Sequence, residues 1–162
     1  CGIAAFLHEK SAAAQLLDIL LVVFMTLLAF IDIEKHIVPN RILFVALICF
    51  FAVAGAAVIA DIEAGLRIIF TSLAGALFCG VVFLLCYLIS RHQLGGGDVK
   101  LSFVMGLYLG GARVVFALVV GMLICLAYSL IKLARKKITV KDGVPLVPFL
   151  FIGTLATLVF TA

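Results

Sequence analysis

The sequence predicts an all-α membrane protein with about six transmembrane helices. Of its 162 residues, 67% are hydrophobic and 12% are charged, and the mean hydropathy is +1.41. Soluble domains are usually about half apolar and a quarter charged. A soluble fold of this size also has too much surface to hide so many apolar side chains. The composition therefore excludes an ordinary soluble domain, a disordered chain and a nucleic-acid-binding protein, and it makes the lipid bilayer the expected surroundings.

Six apolar segments define the predicted helices: 16–33, 42–60, 66–89, 99–109, 112–134 and 144–162. Five of them approach or exceed the ~20 residues that span a bilayer. The fourth is short, measuring roughly 16 Å against a hydrocarbon core of ~30 Å. We therefore expect non-helical backbone in the Gly-rich run 95–97 before it. We expect residues 1–162 to form a single transmembrane domain, in which 1–15 form an outer segment and 1–7 fit the remnant of a preceding helix.

The distribution of Lys and Arg indicates whether the fourth segment crosses the membrane. If all six segments cross and the 34–41 loop is cytoplasmic, nine of the 12 basic residues lie inside and three lie outside. If the fourth segment dips in and returns, five lie inside and seven outside. Cytoplasmic loops carry the excess of Lys and Arg, so six crossings are expected. Asp18, Asp61 and Glu63 then become solvated charges at the outer interface.

Two acidic residues, Asp32 and Asp98, lie at the inner ends of predicted helices. Asp32 closes the first helix, and Asp98 follows three glycines at the mouth of the fourth. An ionisable group drawn into a membrane is expensive and is a functional hypothesis by default. Two carboxylates that converge beside apolar helices cannot both ionise easily, so the pair is expected to share a proton near neutral pH. Aspartic proteolysis needs this combination of a base and an acid.

Each of these acids also has an ordinary structural explanation. Asp98 fits the N-cap of the fourth helix, where a carboxylate is favourable. Asp32 fits an ion pair with Lys35 or with His36. No C-x-x-C pair occurs among the five cysteines, and neither a metal nor a cofactor is predicted.

Three segments resemble motifs of the type IV prepilin peptidase family. The family's first active-site segment is similar to residues 32–34 (Asp-Ile-Glu) and 37–41 (Ile-Val-Pro-Asn-Arg). Its second, the G-x-G-D motif with a trailing Lys-Leu, is similar to residues 95–101. A later proline-containing segment, usually nearer Ile-Pro-Phe-Gly-Pro-Phe, resembles residues 144–149, with Leu146 and Val147 in place of Phe-Gly. The resemblance spans residues 16–162.

This resemblance implies a membrane aspartic endopeptidase of the bacterial cytoplasmic (inner) membrane, with its active site facing the cytoplasm. It would remove the short basic leader of type IV prepilins or pseudopilins, which serve pilus assembly and protein secretion. The catalytic aspartates carry over to Asp32 and Asp98. Supporting or substrate-binding roles fall to Glu34, Pro39, Asn40, Gly95, Gly96, Gly97 and Lys100. For Lys100, an ordinary snorkelling interfacial lysine is the alternative, and Pro39 and Asn40 suit the turn that opens the second helix.

Many members of the family also carry an N-terminal methyltransferase region with paired C-x-x-C motifs. Residues 1–162 contain none of it, so they resemble a short, peptidase-only form, unless that region precedes Cys1 in the natural protein. The sequence leaves the exact pilin-like substrate and the oligomeric state open.

Other classes of membrane protein compete with the peptidase interpretation. Presenilin-type proteases share G-x-G-D, but they pair it with Tyr-Asp and Pro-Ala-Leu motifs. Asp32 follows Ile31, and no Pro-Ala-Leu occurs. A small ion or proton-coupled transporter could use the same two aspartates, and a purely structural subunit would leave them unexplained. Leader cleavage, compared with ion or proton flux in liposomes, separates these alternatives.

Overall fold

Six helices make up the part of the chain that this computed structural model describes, namely residues 12–35, 37–89, 95–134 and 146–161. They are α1 (Ala12–Lys35), α2 (Asn40–Ala60), α3 (Ile62–Ile89), α4 (Gly96–Leu109), α5 (Gly111–Ala134) and α6 (Val147–Phe160). These ranges contain no strand, so the predicted all-α class is confirmed. Most of the predicted outer segment, His36, and the start of the sixth apolar segment at 144–145 lie outside the described residues.

Four helices, α1, α2, α3 and α5, are long and apolar enough to cross a membrane. The shortest of them has 21 residues and rises about 31 Å, which matches a hydrocarbon core of ~30 Å. Their outer faces carry large apolar side chains: Phe30 is 65% exposed, Phe44 64% and Phe70 69%. Apolar surface on this scale requires a partner or a lipid environment. The fold is therefore that of a polytopic helical membrane protein.

Helix α4 is short, as predicted, and it is the most enclosed helix of the bundle. It has 14 residues, eight of which are buried, and it contacts α1, α2, α3 and α5. Near its end, the Tyr108 hydroxyl donates a hydrogen bond of 2.7 Å to the Ala46 carbonyl of α2. The residues at the start of α4 are consequently attached to a helix that is packed on several sides.

Glycines allow α3 and α4 to pack with their backbones in contact. A Cβ atom on either Gly75 or Gly106 would lie 2.5 Å from the carbonyl oxygen of the other residue. Small residues permit this close approach between helices in membranes. Beyond the end of α4, Gly110 has a φ of +74°, in the left-handed region that favours glycine. The chain therefore turns directly from α4 into α5.

A second glycine contact fixes α6 against α5. A Cβ atom on Gly153 would overlap the Ala117 carbonyl oxygen, and one on Gly121 would lie 2.9 Å from the Phe149 carbonyl oxygen. Helix α6 also packs along α1. This packing brings the first turn of α6 to the end of α1 that carries Asp32.

An ion pair links α1 and α5 at the opposite end of the bundle. Nη2 of Arg113 lies 2.8 Å from both carboxylate oxygens of Asp18. The prediction that Asp18 is a solvated charge is wrong, because only 13% of its side chain is exposed. Asp18 and Asp32 are 14 residues apart on α1, or roughly 21 Å along the helix axis. Helix α4 therefore runs from the Asp32 end of the bundle to the Asp18 end.

Helices α1 to α5 begin earlier than the apolar segments predicted, whereas α6 begins at Val147, later than the predicted residue 144. Helix α1 starts at Ala12 instead of residue 16, and α4 starts at Gly96 instead of residue 99. Hydropathy detects the apolar part of a helix and misses a first turn built from polar or small residues. As a result, the non-helical backbone expected for the glycine run is restricted: Gly95 is extended, while Gly96 and Gly97 already form the first turn of α4.

Candidate active site

Asp32 is buried in the last turns of α1. Only 5% of it is exposed, and its Oδ2 accepts a hydrogen bond of 3.2 Å from the backbone N–H of Val147. Buried carboxylates require partners of this kind, because the loss of hydration is otherwise uncompensated. The partner comes from α6, so the contact depends on the tertiary fold and not on the local sequence.

Asp98 lies in the first turn of α4 and is partly buried. The structure makes Gly95 the N-cap and sets Asp98 three residues further on. The carboxylate of Asp98 accepts a hydrogen bond from the backbone of Gly95, and its own N–H donates to the Gly95 carbonyl at 3.0 Å. This reciprocal arrangement resembles a capping box. The N-cap alternative for Asp98 is therefore not what the structure has, although its charge still lies where a helix N-terminus favours an anion.

The two aspartates lie close enough for their negative charges to act on each other. Asp32 comes from the end of α1 and Asp98 from the start of α4. No local sequence feature requires these two ends to meet. The fold thus brings together the two carboxyl groups that were predicted as a pair.

The connection between α1 and α2 packs against the start of α4 and joins the two motifs. Gly97 lies against Val38, and the Lys100 Nζ donates a hydrogen bond of 3.1 Å to Asn40 Oδ1. Pro39 is the N-cap of α2, and its carbonyl accepts the N–H of Ile42 at 3.2 Å. The turn predicted for Pro39 and Asn40 is present, and Lys100 has a specific partner.

Two of the predicted supporting residues face open space next to the aspartates. Glu34 is exposed on α1, whereas Asp32 is buried two residues earlier, because residues two apart on an α-helix point to nearly opposite sides, about 200° apart. A Cβ atom on Gly96 would meet no atom within 4 Å. Glu34 and Gly96 therefore border open space beside the site.

An apolar groove opens beside the two motifs, and the sequence did not indicate it. Its volume is about 750 Å³, and it lies between α2, α3 and α4 with Asn40 and Lys100 among its lining residues. The aspartates are not in its lining. Within the ranges that the structure describes, no three His, Cys, Asp or Glu side chains cluster as metal ligands would.

Comparison with known proteins gives one match. The model of the type IV leader peptidase family matches residues 19–130, which is more than half of the chain and includes both aspartates. No curated protein and no solved structure matches the chain. Because the matched family consists of leader peptidases and its model covers more than half of the chain, the match identifies this helical membrane protein as a peptidase. The chain therefore belongs to the type IV leader peptidase family.

Proposed function

We propose that this peptidase is an aspartic endopeptidase that cleaves the basic leader from type IV prepilin or pseudopilin precursors. The observation that carries the proposal is the interaction between the charges of Asp32 and Asp98, which come from separate motifs of a leader peptidase. A pair of interacting carboxyl groups with limited access to water is the device that aspartic proteolysis uses.

The proposed mechanism assigns the pair one shared proton. The ionised carboxylate takes a proton from a water molecule, and the protonated carboxyl donates a hydrogen bond to the scissile carbonyl oxygen. Attack by the water forms a tetrahedral intermediate. Transfer of a proton to the leaving amine then breaks the C–N bond and restores the shared proton.

The proposed substrate has a basic leader followed by a long apolar helix. The apolar helix lies in the bilayer, which sets the scissile bond at the membrane interface beside the aspartates. The positive-inside distribution of Lys and Arg supports a cytoplasmic site in the bacterial inner membrane. Since Glu34 is exposed on the same turn of α1 as Asp32, it is the acid we propose to attract the basic leader.

The direct test mixes the detergent-solubilised protein with a prepilin-like substrate and locates any cut by mass spectrometry. Asp32→Asn and Asp98→Asn should each abolish cleavage after the basic leader. The matched control is Asp61→Asn, because Asp61 is exposed and its Oδ1 accepts the N–H groups of Glu63 and Ala64 at the start of α3. Asparagine keeps that capping oxygen, so the control should cut at the parent rate.

Two results would contradict the proposal. Equal cleavage by all four proteins would assign the activity to a contaminant or to other chemistry. No cleavage by a folded parent protein would reject the peptidase role with this substrate, and a proton-flux measurement on the same proteins in liposomes would then test the transporter alternative.

A further inference from the structure

The first turn of α6 supplies a group that the motifs containing the two aspartates do not include. Val147 is the first residue of α6 and is fully buried. Its backbone N–H donates the 3.2 Å hydrogen bond to Asp32 Oδ2. Val147 lies outside residues 19–130, the part of the chain that the family model matches.

The local structure of α6 leaves this N–H available for Asp32. The first N–H groups of a helix have no partner in the preceding turn. In α6, the N–H groups of Phe149 and Leu150 donate to the Leu146 carbonyl at 3.1 and 3.2 Å, and Pro148 has no N–H. The N–H of Val147 is thus the one in this turn that reaches the buried carboxylate.

The chemistry of an N–H donor restricts how Asp32 can carry a proton. An N–H group only donates, so Oδ2 must act as an acceptor while the hydrogen bond is formed. A proton taken up by Asp32 is therefore favoured on Oδ1, because the hydrogen bond stabilises negative charge on Oδ2. The hydrogen bond also fixes the rotation of the carboxyl group, since α6 is held in place by its glycine contact with α5.

We infer that the backbone N–H of Val147 is a positioning group for Asp32, fixing the rotation of its carboxyl group and favouring Oδ1 as the oxygen that exchanges the proton. The inference rests on the proposed function, because it assigns a role within the same reaction. It adds the late proline-containing segment to the site as a backbone contribution that every residue except proline could make at position 147.

The test replaces the Val147 amide with an ester by incorporating the α-hydroxy analogue of valine in the full chain. This substitution removes the N–H and keeps the side chain. The matched control is the α-hydroxy analogue of leucine at position 150, where the ester removes an ordinary helical hydrogen bond of the same 3.2 Å length. Cleavage of a prepilin-like peptide with a basic leader gives kcat and KM for each protein.

The ester at position 147 should lower kcat about 10- to 100-fold and leave KM within about twofold, because a hydrogen bond to a charged group is lost. The ester at position 150 should leave kcat within about threefold while lowering the melting temperature. Equal kcat losses in the two esters would assign a merely structural role to the Val147 N–H and overturn the inference.

An activity-independent measurement reads the hydrogen bond itself. The infrared carboxylate bands of Asp32 are obtained as the difference between the parent and Asp32→Asn. They should shift in the ester at position 147 and stay in place in the ester at position 150. Unshifted bands would overturn the inference even if kcat falls. Loss of cleavage in the parent protein would instead reject the proposed function, and shifted bands would then still identify the contact, without a catalytic role.

Discussion

Gly97 packs against Val38 so closely that a Cβ atom on residue 97 would lie 2.8 Å from the Val38 Cβ. This contact seats the start of α4 on the connection between α1 and α2. The G-x-G-D motif therefore contacts the first motif in two ways. Its third glycine packs against Val38, and the charge of Asp98 interacts with that of Asp32. Its last glycine is needed for close approach within the first turn of a helix.

Gly97→Ala should lower the rate of leader cleavage by about tenfold or more. The added methyl group pushes α4 away from the α1–α2 connection, and a displacement of about 1 Å in a catalytic group can reduce a rate on the order of 100-fold. The measurement is kcat/KM on a prepilin-like substrate. Gly55→Ala is the control, since a Cβ atom on this helical glycine meets no atom within 4 Å. Equal rates for the two variants would show that the Gly97 contact does not position Asp98.

Lys100 and Asn40 should contribute to cleavage as a pair. Their side chains are exposed, so the 3.1 Å hydrogen bond between them is expected to contribute about 0.5–1.5 kcal/mol. Lys100→Met and Asn40→Ala should each reduce kcat/KM by about two- to tenfold, and the double variant should be no worse than the more damaging single change. If the two single-variant losses multiply in the double variant, Lys100 and Asn40 act independently, and the prediction that they act as a pair is wrong.

Glu34→Lys should weaken the binding of substrates with basic leaders. Glu34 is exposed beside the buried Asp32, and reversal of its charge replaces an attraction with a repulsion. We expect KM to rise about threefold to tenfold at low salt, with a smaller effect at high salt because exposed charges are screened. A substrate with a neutral leader serves as the control. An unchanged KM for the basic-leader substrate would remove Glu34 from substrate recognition.

Arg113→Met should destabilise the fold while leaving the chemistry of the site intact. The Asp18–Arg113 pair is partly buried and lies at the end of the bundle opposite Asp32. Loss of the guanidinium leaves a carboxylate without its cation, which costs about 1–3 kcal/mol. The melting temperature in detergent should fall in Arg113→Met and recover in part when Asp18→Asn is added. A double variant less stable than the single one would contradict this account.

The fold class was predictable because it depends on composition and segment length. Hydropathy located six helices and identified the short fourth one, since both properties are local in the sequence. The glycine contacts were not predictable. Gly75 and Gly106 are far apart in the chain, and nothing in either local pattern states that α3 and α4 touch there. The first residues of α1 and α4 were not predicted as helical, because the first turn of each helix is weakly apolar.

The sequence predicted those parts of the candidate site that consist of reactive side chains, but not the backbone group that contacts them. Asp32 and Asp98 stood out as acids beside apolar helices, and the structure brings them together. The hydrogen bond from Val147 to Asp32 was not predictable. Every residue except proline has a backbone N–H, so the sequence does not show which one donates to Asp32. The Asp18–Arg113 pair escaped for another reason: each residue alone resembles an interfacial charge, and only the packing of α1 on α5 reveals the partner.

Single-turnover cleavage rates test most directly whether Asp32 and Asp98 act as one catalytic unit. The rates are compared for the parent protein, the two single variants and the double variant. We expect Asp32→Asn, Asp98→Asn and the double variant all to fall to the same background rate, because the loss of either member disables the whole pair. A single variant that retains more than about a tenth of the parent rate, or a double variant that multiplies two partial losses, would contradict the claim.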